Sequence, residues 1–377
     1  MKKNILFLTW KDLKHPNAGW AEKVIYEYAK WLVKKGYEIT WFWYEFPWCK
    51  PEEVIDWIKI IRKFTLKNSY FLFHKYYKEN LAWKYDLIID EAGGLPFLTT
   101  RFIKDTPIIF FAHHIWDKEW DFAYPWPINK IWKKIYYWMF KQYKNIPTIT
   151  VSDSTKNELI NDFWFKKENI KVIENTLDLK PIEKIDFSKK KNKIVFLWRL
   201  MPMKRVEDAI KAFHYLIFNK NEEIKQNNYE LDIVWWNQDK KYVEKLHKLV
   251  RKLNLISKVN FVWYNKKVFD KSLDEAKLML VPSYKEWFWL IVLEANAYWL
   301  PVIWYDVAWL RDSIKDWINW YKVEWWNYKA MWDKLIGVLE DEKKYKKLAE
   351  KSLEYVKTLD WWYKKVDEFE GFILNKI

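Results

Sequence analysis

Glycine is scarce in this chain: 6 of its 377 residues are glycine, where average usage would give about 26. Many turns of an α/β protein need φ > 0, so few such folds are built with so little glycine. Cysteine is scarcer still. Cys49 is alone, which excludes a disulfide framework and a thiolate zinc site and fits a reducing compartment. Apolar runs are short, each ending well before the roughly 18 residues that a membrane-spanning helix needs.

Acidic residues are outnumbered, with 51 Asp and Glu against 66 Lys and Arg and a net charge of +15. The excess is spread over both halves of the chain, whereas a nucleic-acid footprint is usually clustered, so no nucleic-acid partner is expected. A basic surface would also suit an anionic membrane face or a phosphate-bearing substrate. A compositional bias toward Lys, Asn, Ile, Tyr and Phe explains the charge equally well.

Tryptophan is abundant instead, with 30 residues. Many of them follow predicted strands or lie where a turn must form, and a bulky ring is disfavoured at φ > 0. They include Trp198, Trp235, Trp236, Trp263, Trp287, Trp289, Trp299, Trp304 and Trp309. We hypothesise that most of these codons are UGA, read as glycine in the source organism. Trp10 and Trp120 are expected to be real tryptophans, because they lie among other aromatic or polar residues where nothing demands glycine. The alternative to recoding is an aromatic-rich surface that binds carbohydrate or membrane.

Short apolar runs alternate with helical patterns along the whole chain, which predicts βαβ units and parallel sheets. A polar stretch, Leu179–Asn192, separates two such series and resembles a linker. The expected architecture is therefore two doubly wound α/β halves. Ligands of such sheets bind at the carboxyl ends of the strands, and the cleft between two halves is the expected site.

The most informative motif runs from Glu286 to Glu294, between a predicted strand and a predicted helix. It sets two carboxylates eight residues apart, and carboxylates suit sugar hydroxyls. The start of the helix, near Leu290, offers free N–H groups that suit a phosphate. Arg199 and Lys204 follow the first strand of the second half, where two cations suit a diphosphate. Each feature alone is also compatible with solvated surface residues.

The first half has its own polar strand ends. A loop from His15 to Glu22 opens into a predicted helix, and Glu91 begins a glycine-containing segment after another strand. His113 and His114 follow the strand that ends at Ala112. Two adjacent histidines could bind a metal, but no third ligand is evident, so a core or hydrogen-bonding role is the common alternative.

These segments resemble motifs of the retaining glycosyltransferase family 4, in the GT-B group of nucleotide-sugar transferases. With the doubtful tryptophans read as glycine, the matching segments are residues 18–22, Val151–Thr155, Phe196–Leu200 with Lys204, residues 234–237 and Glu286–Glu294. Val172–Asp178 is similar to a further turn, with Glu174 and Thr176 as departures. The resemblance implies a GT-B fold, with two doubly wound Rossmann-like domains facing across a cleft. The expected domains are residues 1–180, 181–358 and a C-terminal helix, 359–377, that crosses back to the first domain.

The resemblance also implies a role for each matching donor-side residue. Arg199 and Lys204 would hold the diphosphate of the donor. Glu294 would hold the ribose hydroxyls, and Glu286 would contact hydroxyls of the transferred sugar. Backbone N–H groups for the donor phosphate and sugar would come from Trp287, Phe288, Trp289 and Leu290.

On the acceptor side, the resemblance places His113 or His114 beside the anomeric carbon, and the sequence does not choose between them. Gly19 and Trp20 would shape this side of the cleft. No cofactor is expected, because the donor, a UDP- or GDP-sugar, is itself a substrate. The resemblance implies that no metal is needed, and the sequence has no metal-binding Asp-x-Asp. The mechanism usually proposed for this family has the leaving phosphate accept the proton of the attacking hydroxyl.

The predicted function is transfer of a hexose, with retained anomeric configuration, to a hydroxyl of a glycan or a lipid-linked acceptor. The expected location is the cytoplasm, and a peripheral position on the inner membrane face is compatible with the basic charge. Two alternatives remain open from the sequence. One is a non-catalytic, aromatic-rich protein that binds polysaccharide, membrane or nucleic acid. The other is a different GT-B enzyme, such as a sugar-nucleotide epimerase.

Overall fold

Strands and helices alternate along the chain in the computed structural model. It describes residues 3–16, 18–117, 119–176, 180–218, 226–236, 239–284, 290–307, 320–324, 327–360 and 362–376. The chain divides into two compact units. Unit 1 is Met1–Thr176 with Asp360–Ile377, and unit 2 is Leu177–Leu359.

Unit 1 is built on an eight-stranded sheet within the described residues. Its strands are β1 (Asn4–Leu8), β2 (Glu38–Trp43), β3 (Glu52–Ile55), β4 (Ile58–Arg62), β5 (Leu87–Ala92), β6 (Ile108–Ala112), β7 (Thr148–Thr150) and β8 (Ile170–Val172). Its helices are α1 (Trp20–Lys34), α2 (Leu66–Tyr76), α3 (Glu119–Ala123), α4 (Ile128–Lys141), α5 (Asp153–Phe163) and α12 (Trp362–Leu374). The strand order is β3-β4-β2-β1-β5-β6-β7-β8. All pairs are parallel except β3 with β4.

Unit 2 contains a six-stranded parallel sheet in the part of it that the structure describes. Its strands are β9 (Lys193–Leu197), β10 (Glu230–Trp235), β11 (Val259–Trp263), β12 (Leu278–Val281), β13 (Val302–Tyr305) and β14 (Trp320–Val323). Its helices are α6 (Val206–Ile217), α7 (Lys240–Lys252), α8 (Lys266–Glu275), α9 (Leu290–Ala297), α10 (Tyr328–Leu339) and α11 (Glu342–Lys357). The strand order is β11-β10-β9-β12-β13-β14.

Apolar strands explain why both sheets form. The last four residues of β1 and of β9 are buried, which is the pattern of strands covered by helices on both faces. The two parallel α/β sheets confirm the predicted fold class. No described helix has the length and apolar content needed to cross a membrane.

The C-terminal helix α12 belongs to unit 1 and packs against α1. The rings of Tyr28 and Phe369 stack with centroids 4.3 Å apart. At the end of α1, the Lys35 ammonium lies 2.5 Å from carboxylate oxygens of both Asp367 and Glu370. An apolar stack and an ion cluster therefore hold the last helix on the first domain.

Some local details differ from the sequence predictions. From the sequence, Ser154 or Asp153 is a plausible N-cap of α5, but the N-cap is Ser152, whose hydroxyl accepts the N–H of Thr155 at 3.2 Å. Trp235, Trp263 and Trp304 lie within β10, β11 and β13 rather than in turns after them. Parallel strands accept aromatic residues readily, so these three positions do not require glycine for their backbone conformation.

Candidate active site

The carboxyl ends of β1, β5 and β6 form the polar edge of unit 1. These three strands are adjacent in the sheet. The chain continues from β1 to β2 on one side and from β5 to β6 on the other. Such a reversal of strand order opens a crevice where α/β sheets bind ligands. Trp10, Glu91 and His113 lie at the ends of these three strands, so the sheet brings them together.

A buried ion pair fixes the loop between β1 and α1. Arg62, from β4, donates from Nε to the Asp12 carboxylate and from Nη1 to the carbonyl of Lys50 at 2.8 Å. The other Asp12 oxygen accepts the N–H of Lys14 at 2.7 Å. Arg62 is 1% exposed and Asp12 is 0% exposed. The loop therefore has an internal anchor at its centre.

Gly19 and Trp20 begin helix α1. The Gly19 N–H donates to the carboxylate of Glu22 at 2.6 Å, which caps the helix. Gly19 has φ −134° and ψ −154°, an extended conformation open to any residue. Trp20 is half-buried, with the Lys23 ammonium 4.6 Å from its ring centroid. Both residues thus lie in the segment that follows the Asp12 loop.

The two histidines after β6 are both buried but have different neighbours. Nε2 of His113 lies 3.4 Å from Oε1 of Glu91, on the adjacent strand. The ring of His114 instead lies near Trp116, with centroids 6.2 Å apart. Burial lowers the pKa of His113 to about 3, so its ring is neutral at physiological pH. Glu91 therefore meets His113 at this edge.

In unit 2, β9 and β12 are neighbours in the sheet. The chain continues from β9 to β10 on one side of this pair and from β12 to β13 on the other, so the pair is the switch point of strand order. Arg199 follows β9 and is half-buried. Lys204 ends a short 3₁₀ helix, is 3% exposed, and has its Nζ 4.4 Å from the Trp198 ring centroid. The N–H of Tyr284, after β12, donates to the Met203 carbonyl at 2.8 Å. This bond joins the two loops at the sheet's switch point.

Arg205, which follows Lys204 directly, is held by carboxylates of α6. It donates to both oxygens of Asp208 at 3.1 Å, and its Nη1 lies 2.9 Å from Glu207. Tyr305 also donates to Asp208, at 3.1 Å. Arg205 therefore holds the loop between β9 and α6 against the first turn of α6. No feature of the sequence distinguishes this structural role of Arg205 from the roles predicted for Arg199 and Lys204.

The Glu-x7-Glu motif is described only in part. Glu286, Trp287, Phe288 and Trp289 lie outside the described residues. Leu290 is the first residue of α9 and is fully buried, and Glu294 is half-buried on the same helix. Burial raises the pKa of Tyr264, and the charge of Glu294 adds to that rise. Glu294 is therefore close enough to the end of β11 to act on Tyr264.

No group of three or more His, Cys, Asp or Glu side chains that could hold a metal ion occurs among the described residues.

Comparisons with known proteins follow the same division as the two units. The family model described as Glycosyltransferase Family 4 matches residues 19–180, and the one described as Glycosyl transferases group 1 matches residues 180–354. Together the two models span residues 19–354, and the chain belongs to the glycosyltransferases that they describe. The resemblance predicted from the sequence is thereby confirmed at the level of the family.

A curated relative is an uncharacterized glycosyltransferase, MJ1607, of Methanocaldococcus jannaschii. It is 29% identical over 191 residues, 47% of this chain and 46% of that protein. The chain thus aligns with about half the length of this relative. Two solved structures are similar over nearly the whole chain at low identity, which shows the shared fold.

One is the sucrose-phosphate synthase of Thermosynechococcus elongatus, with a TM-score of 0.77 and 15% identity over 99% of each chain. The other is Anabaena Alr3699/HepE in complex with UDP and glucose. Its TM-score is 0.74, and its identity is 16% over 100% of each chain.

Proposed function

We propose that this protein transfers a hexose from a UDP- or GDP-sugar to a hydroxyl of a glycan or lipid-linked acceptor, with retention of the anomeric configuration. Family membership supports glycosyl transfer. The complex of HepE with UDP and glucose supports a nucleotide-sugar donor by analogy. The observation that carries the proposal is the placement of Lys204, a buried cation, at the switch point of the unit 2 sheet.

The donor would bind at the ends of β9 and β12. Arg199 and Lys204 would neutralise the diphosphate and stabilise the charge that develops as it departs. Glu294 would accept hydrogen bonds from the ribose hydroxyls, and Glu286 from the transferred sugar. Residues 287–290 would donate backbone N–H groups to the donor. These roles depend on side chains from two loops that the Tyr284 bond holds together.

The reaction would break the bond between the anomeric carbon and the leaving phosphate oxygen. The acceptor hydroxyl would form the new bond on the same face, and its proton would pass to the departing phosphate. No metal is required, because Arg199 and Lys204 supply the positive charge. His113 or His114 would lie on the acceptor side, with Gly19 and Trp20. The protein's contribution is positioning and charge stabilisation.

We also propose that many tryptophan positions are glycine in the native protein, as the scarcity of glycine suggests. The β3–β4 hairpin turns through two residues, Asp56 and Trp57, with φ values of 47° and 65°. A two-residue turn with both φ values positive is of type I′, where Asp-Gly is strongly preferred. Trp57 is 85% exposed, so its ring gains little from packing.

Helix ends give a second and independent comparison. Among the described residues, four helices end in the same way: a residue with positive φ is followed by an N–H that bonds back to the last turn. Glycine and asparagine, the usual residues there, occupy two of these positions, Gly36 and Asn254. Tryptophan occupies the other two, Trp164 (φ 60°) and Trp299 (φ 50°). A tryptophan with positive φ is a backbone outlier, and two at glycine positions support the recoding.

Two further tryptophans with positive φ are Trp48 (φ 64°), which is 99% exposed, and Trp83 (φ 64°), which is 82% exposed. Inside the sheet of unit 2, Trp235 and Trp304 have buried indole N–H groups with no hydrogen-bond partner among the described residues. Buried donors are normally paired. The indole rings therefore fit poorly even where the backbone would accept any residue.

A peripheral site on an anionic membrane face is part of the proposal. Helix α4 exposes an apolar stripe, with Ile128 44%, Ile131 55%, Ile135 38% and Trp138 47% exposed. Basic residues flank it: Lys134 and Arg101 are exposed, and α4 contains no acidic residue. We call these six residues the α4 surface. An apolar stripe bordered by cations suits the interface of an anionic bilayer, where the cations reach lipid phosphates.

Donor hydrolysis tests the proposed activity without knowledge of the acceptor. The chain and a version with glycine at positions 287, 289, 299, 304 and 309 would be incubated with UDP- and GDP-hexoses, and nucleotide release measured. We expect release from one donor and a retained anomer in the product sugar by NMR. If neither protein releases nucleotide from any donor, and polysaccharide binding is observed, the result would favour the non-catalytic alternative.

A further inference from the structure

Glu91 and His113 form a buried pair that the proposed donor chemistry does not use. Their side chains are 3% and 5% exposed, and Oε1 of Glu91 lies 3.4 Å from Nε2 of His113. The other Glu91 oxygen accepts the N–H of Trp10 at 3.1 Å. In the described part of the chain, neither Oε1 nor Nε2 has a hydrogen-bond partner, and the two atoms face each other across this 3.4 Å distance. Each atom is thus placed to satisfy the other.

Burial disfavours the charged form of both groups. It raises the pKa of Glu91 well above its usual value, and the charges of Glu22 and Asp90 add to the rise, against the Trp10 N–H and Lys11. Burial also raises the pKa of Tyr70, and the charge of Glu91 contributes to that rise. A neutral carboxylic acid can donate its O–H, and a neutral imidazole can accept at one nitrogen. The chemistry of the pair therefore allows one hydrogen bond, from Oε1 to Nε2.

Two glycines leave space for the Glu91 carboxyl and for the Trp10 ring beside it. A Cβ at Gly93 would lie 2.7 Å from Oε1 of Glu91, and a Cβ at Gly94 would lie 2.1 Å from the Trp10 ring. A side chain at either position would displace the carboxyl or the ring beside it. The sequence Glu91-Ala-Gly-Gly thus gives the carboxyl its room.

We propose that Glu91 is a positioning residue for His113: it donates a hydrogen bond to Nε2 and so fixes the proton of the neutral ring on Nδ1. His113 then presents an N–H donor, rather than an acceptor, through Nδ1. A donor suits a substrate oxygen on the acceptor side. This inference rests on the proposed function for the substrate, but the tautomer itself does not depend on it.

The test reads the tautomer directly. The chain has six histidines, and ¹⁵N NMR of histidine-labelled protein distinguishes Nδ1–H from Nε2–H, with the His113 signal assigned by its loss in His113→Asn. We expect Nδ1–H in the native protein and in Glu91→Gln, whose amide also donates. We expect a shift toward Nε2–H in Glu91→Met, which has no donor.

A pH series separates positioning from packing. When Glu91 loses its proton at alkaline pH, the carboxylate accepts rather than donates, and the His113 proton moves to Nε2; the step belongs to the pair. Glu91→Gln cannot ionise, so its tautomer should stay constant. Glu119→Gln, at another buried carboxyl of unit 1, is the matched control and should keep the native pH response.

Activity provides the second measurement. We expect Glu91→Met to lower kcat/KM by about 10–100-fold, as loss of a supporting hydrogen bond does in other sites, and Glu91→Gln to stay within a few-fold. Gly93→Ala, which pushes the carboxyl without removing it, should resemble Glu91→Met. An unchanged His113 tautomer in both Glu91→Met and Gly93→Ala would overturn the proposal. A tautomer that responds in a protein without transferase activity would overturn the proposed function and leave the positioning role standing.

Discussion

Arg62 and Asp12 form an ion pair in the interior of unit 1, and both side chains are almost completely buried. Removal of one partner leaves the other charge without compensation, which costs about 3–5 kcal/mol. We therefore expect Arg62→Met to lower the free energy of unfolding by that amount in urea titrations. The loop before Gly19 should also loosen, which faster hydrogen exchange at the Lys14 amide would show.

A surface pair provides the control. Lys59 and Glu52 are 3.6 Å apart and more than half exposed, so Lys59→Met should change stability by less than about 1 kcal/mol. Equal effects of Arg62→Met and Lys59→Met would contradict the anchoring role of the buried pair.

Replacement of outlying tryptophans by glycine should stabilise the chain. Trp57 and Trp164 have positive φ and are 85% and 63% exposed. The left-handed conformation costs a non-glycine residue roughly 1–2 kcal/mol, so Trp57→Gly and Trp164→Gly should each raise the free energy of unfolding by about 1 kcal/mol. Thermal and urea unfolding of the purified variants would measure this gain.

Trp138→Gly is the matched control, because Trp138 is exposed but lies inside helix α4. Glycine there should cost about 1 kcal/mol. Peptide mass spectrometry of protein from the source organism decides the matter directly. Tryptophan masses at positions 57 and 164 would refute the recoding.

The sequence predicts the two sheets well, because buried parallel strands are continuous apolar runs and their helices follow in order. The β3–β4 hairpin is not predicted. Its outer strand, β3, contains two glutamates, and its turn contains Trp57 where Asp-Gly would have indicated a hairpin. Helix α2, which follows the hairpin, is not predicted either. The unusual composition therefore makes the local turns hard to predict from the sequence.

The candidate site shows a similar limit. The position of Arg199 and Lys204 after β9 is predictable, because residues after a parallel strand lie at the edge of the sheet where ligands bind. The different surroundings of His113 and His114 are not predictable, since a neighbouring strand brings Glu91 within 3.4 Å of His113. The structural role of Arg205 depends likewise on carboxylates of α6. Such contacts follow from the packing of the elements rather than from spacing along the chain.

Loss of either donor-side cation should impair catalysis more than folding. We expect Arg199→Ala and Lys204→Met to lower kcat/KM for the nucleotide-sugar by about 10²-fold, because each would remove positive charge from the departing diphosphate. Lys248→Met, at an exposed lysine of α7, is the control for net charge and should leave the rate unchanged. Native-like melting with unaltered kinetics in both site variants would exclude a diphosphate site here.

Binding to anionic vesicles should depend on the α4 surface. We expect the chain to bind phosphatidylcholine vesicles that contain phosphatidylglycerol, more weakly at high salt and little without the anionic lipid. Ile131→Asn with Ile135→Asn should weaken binding roughly tenfold, because two half-exposed apolar side chains lose their contact with the bilayer. Ile256→Asn, at a 68% exposed position in unit 2, is the control. Equal loss in the control would place the binding surface elsewhere.

Lys190 should make the free energy of unfolding depend on pH in the alkaline range. Its ammonium donates to the Leu273 carbonyl at 3.0 Å and lies 4.2 Å from the Trp299 ring centroid, and burial lowers the pKa of Lys190 to about 7. The unfolded chain keeps a lysine pKa near ~10.4. Between these values the unfolded state binds more protons than the folded state. The free energy of unfolding should therefore rise with pH across that window, by up to about 1 kcal/mol per pH unit.

Urea titrations from pH 7 to 10 measure this slope, and the variants identify its source. Lys190→Met should abolish it, whereas Lys189→Met, at an exposed neighbour, should keep it. A slope that survives in Lys190→Met would assign it to another group. Trp299→Gly should flatten it in part, because water would replace the ring that covers the ammonium. A protein from the source organism with glycine at 299 should therefore show the weaker pH dependence of that variant.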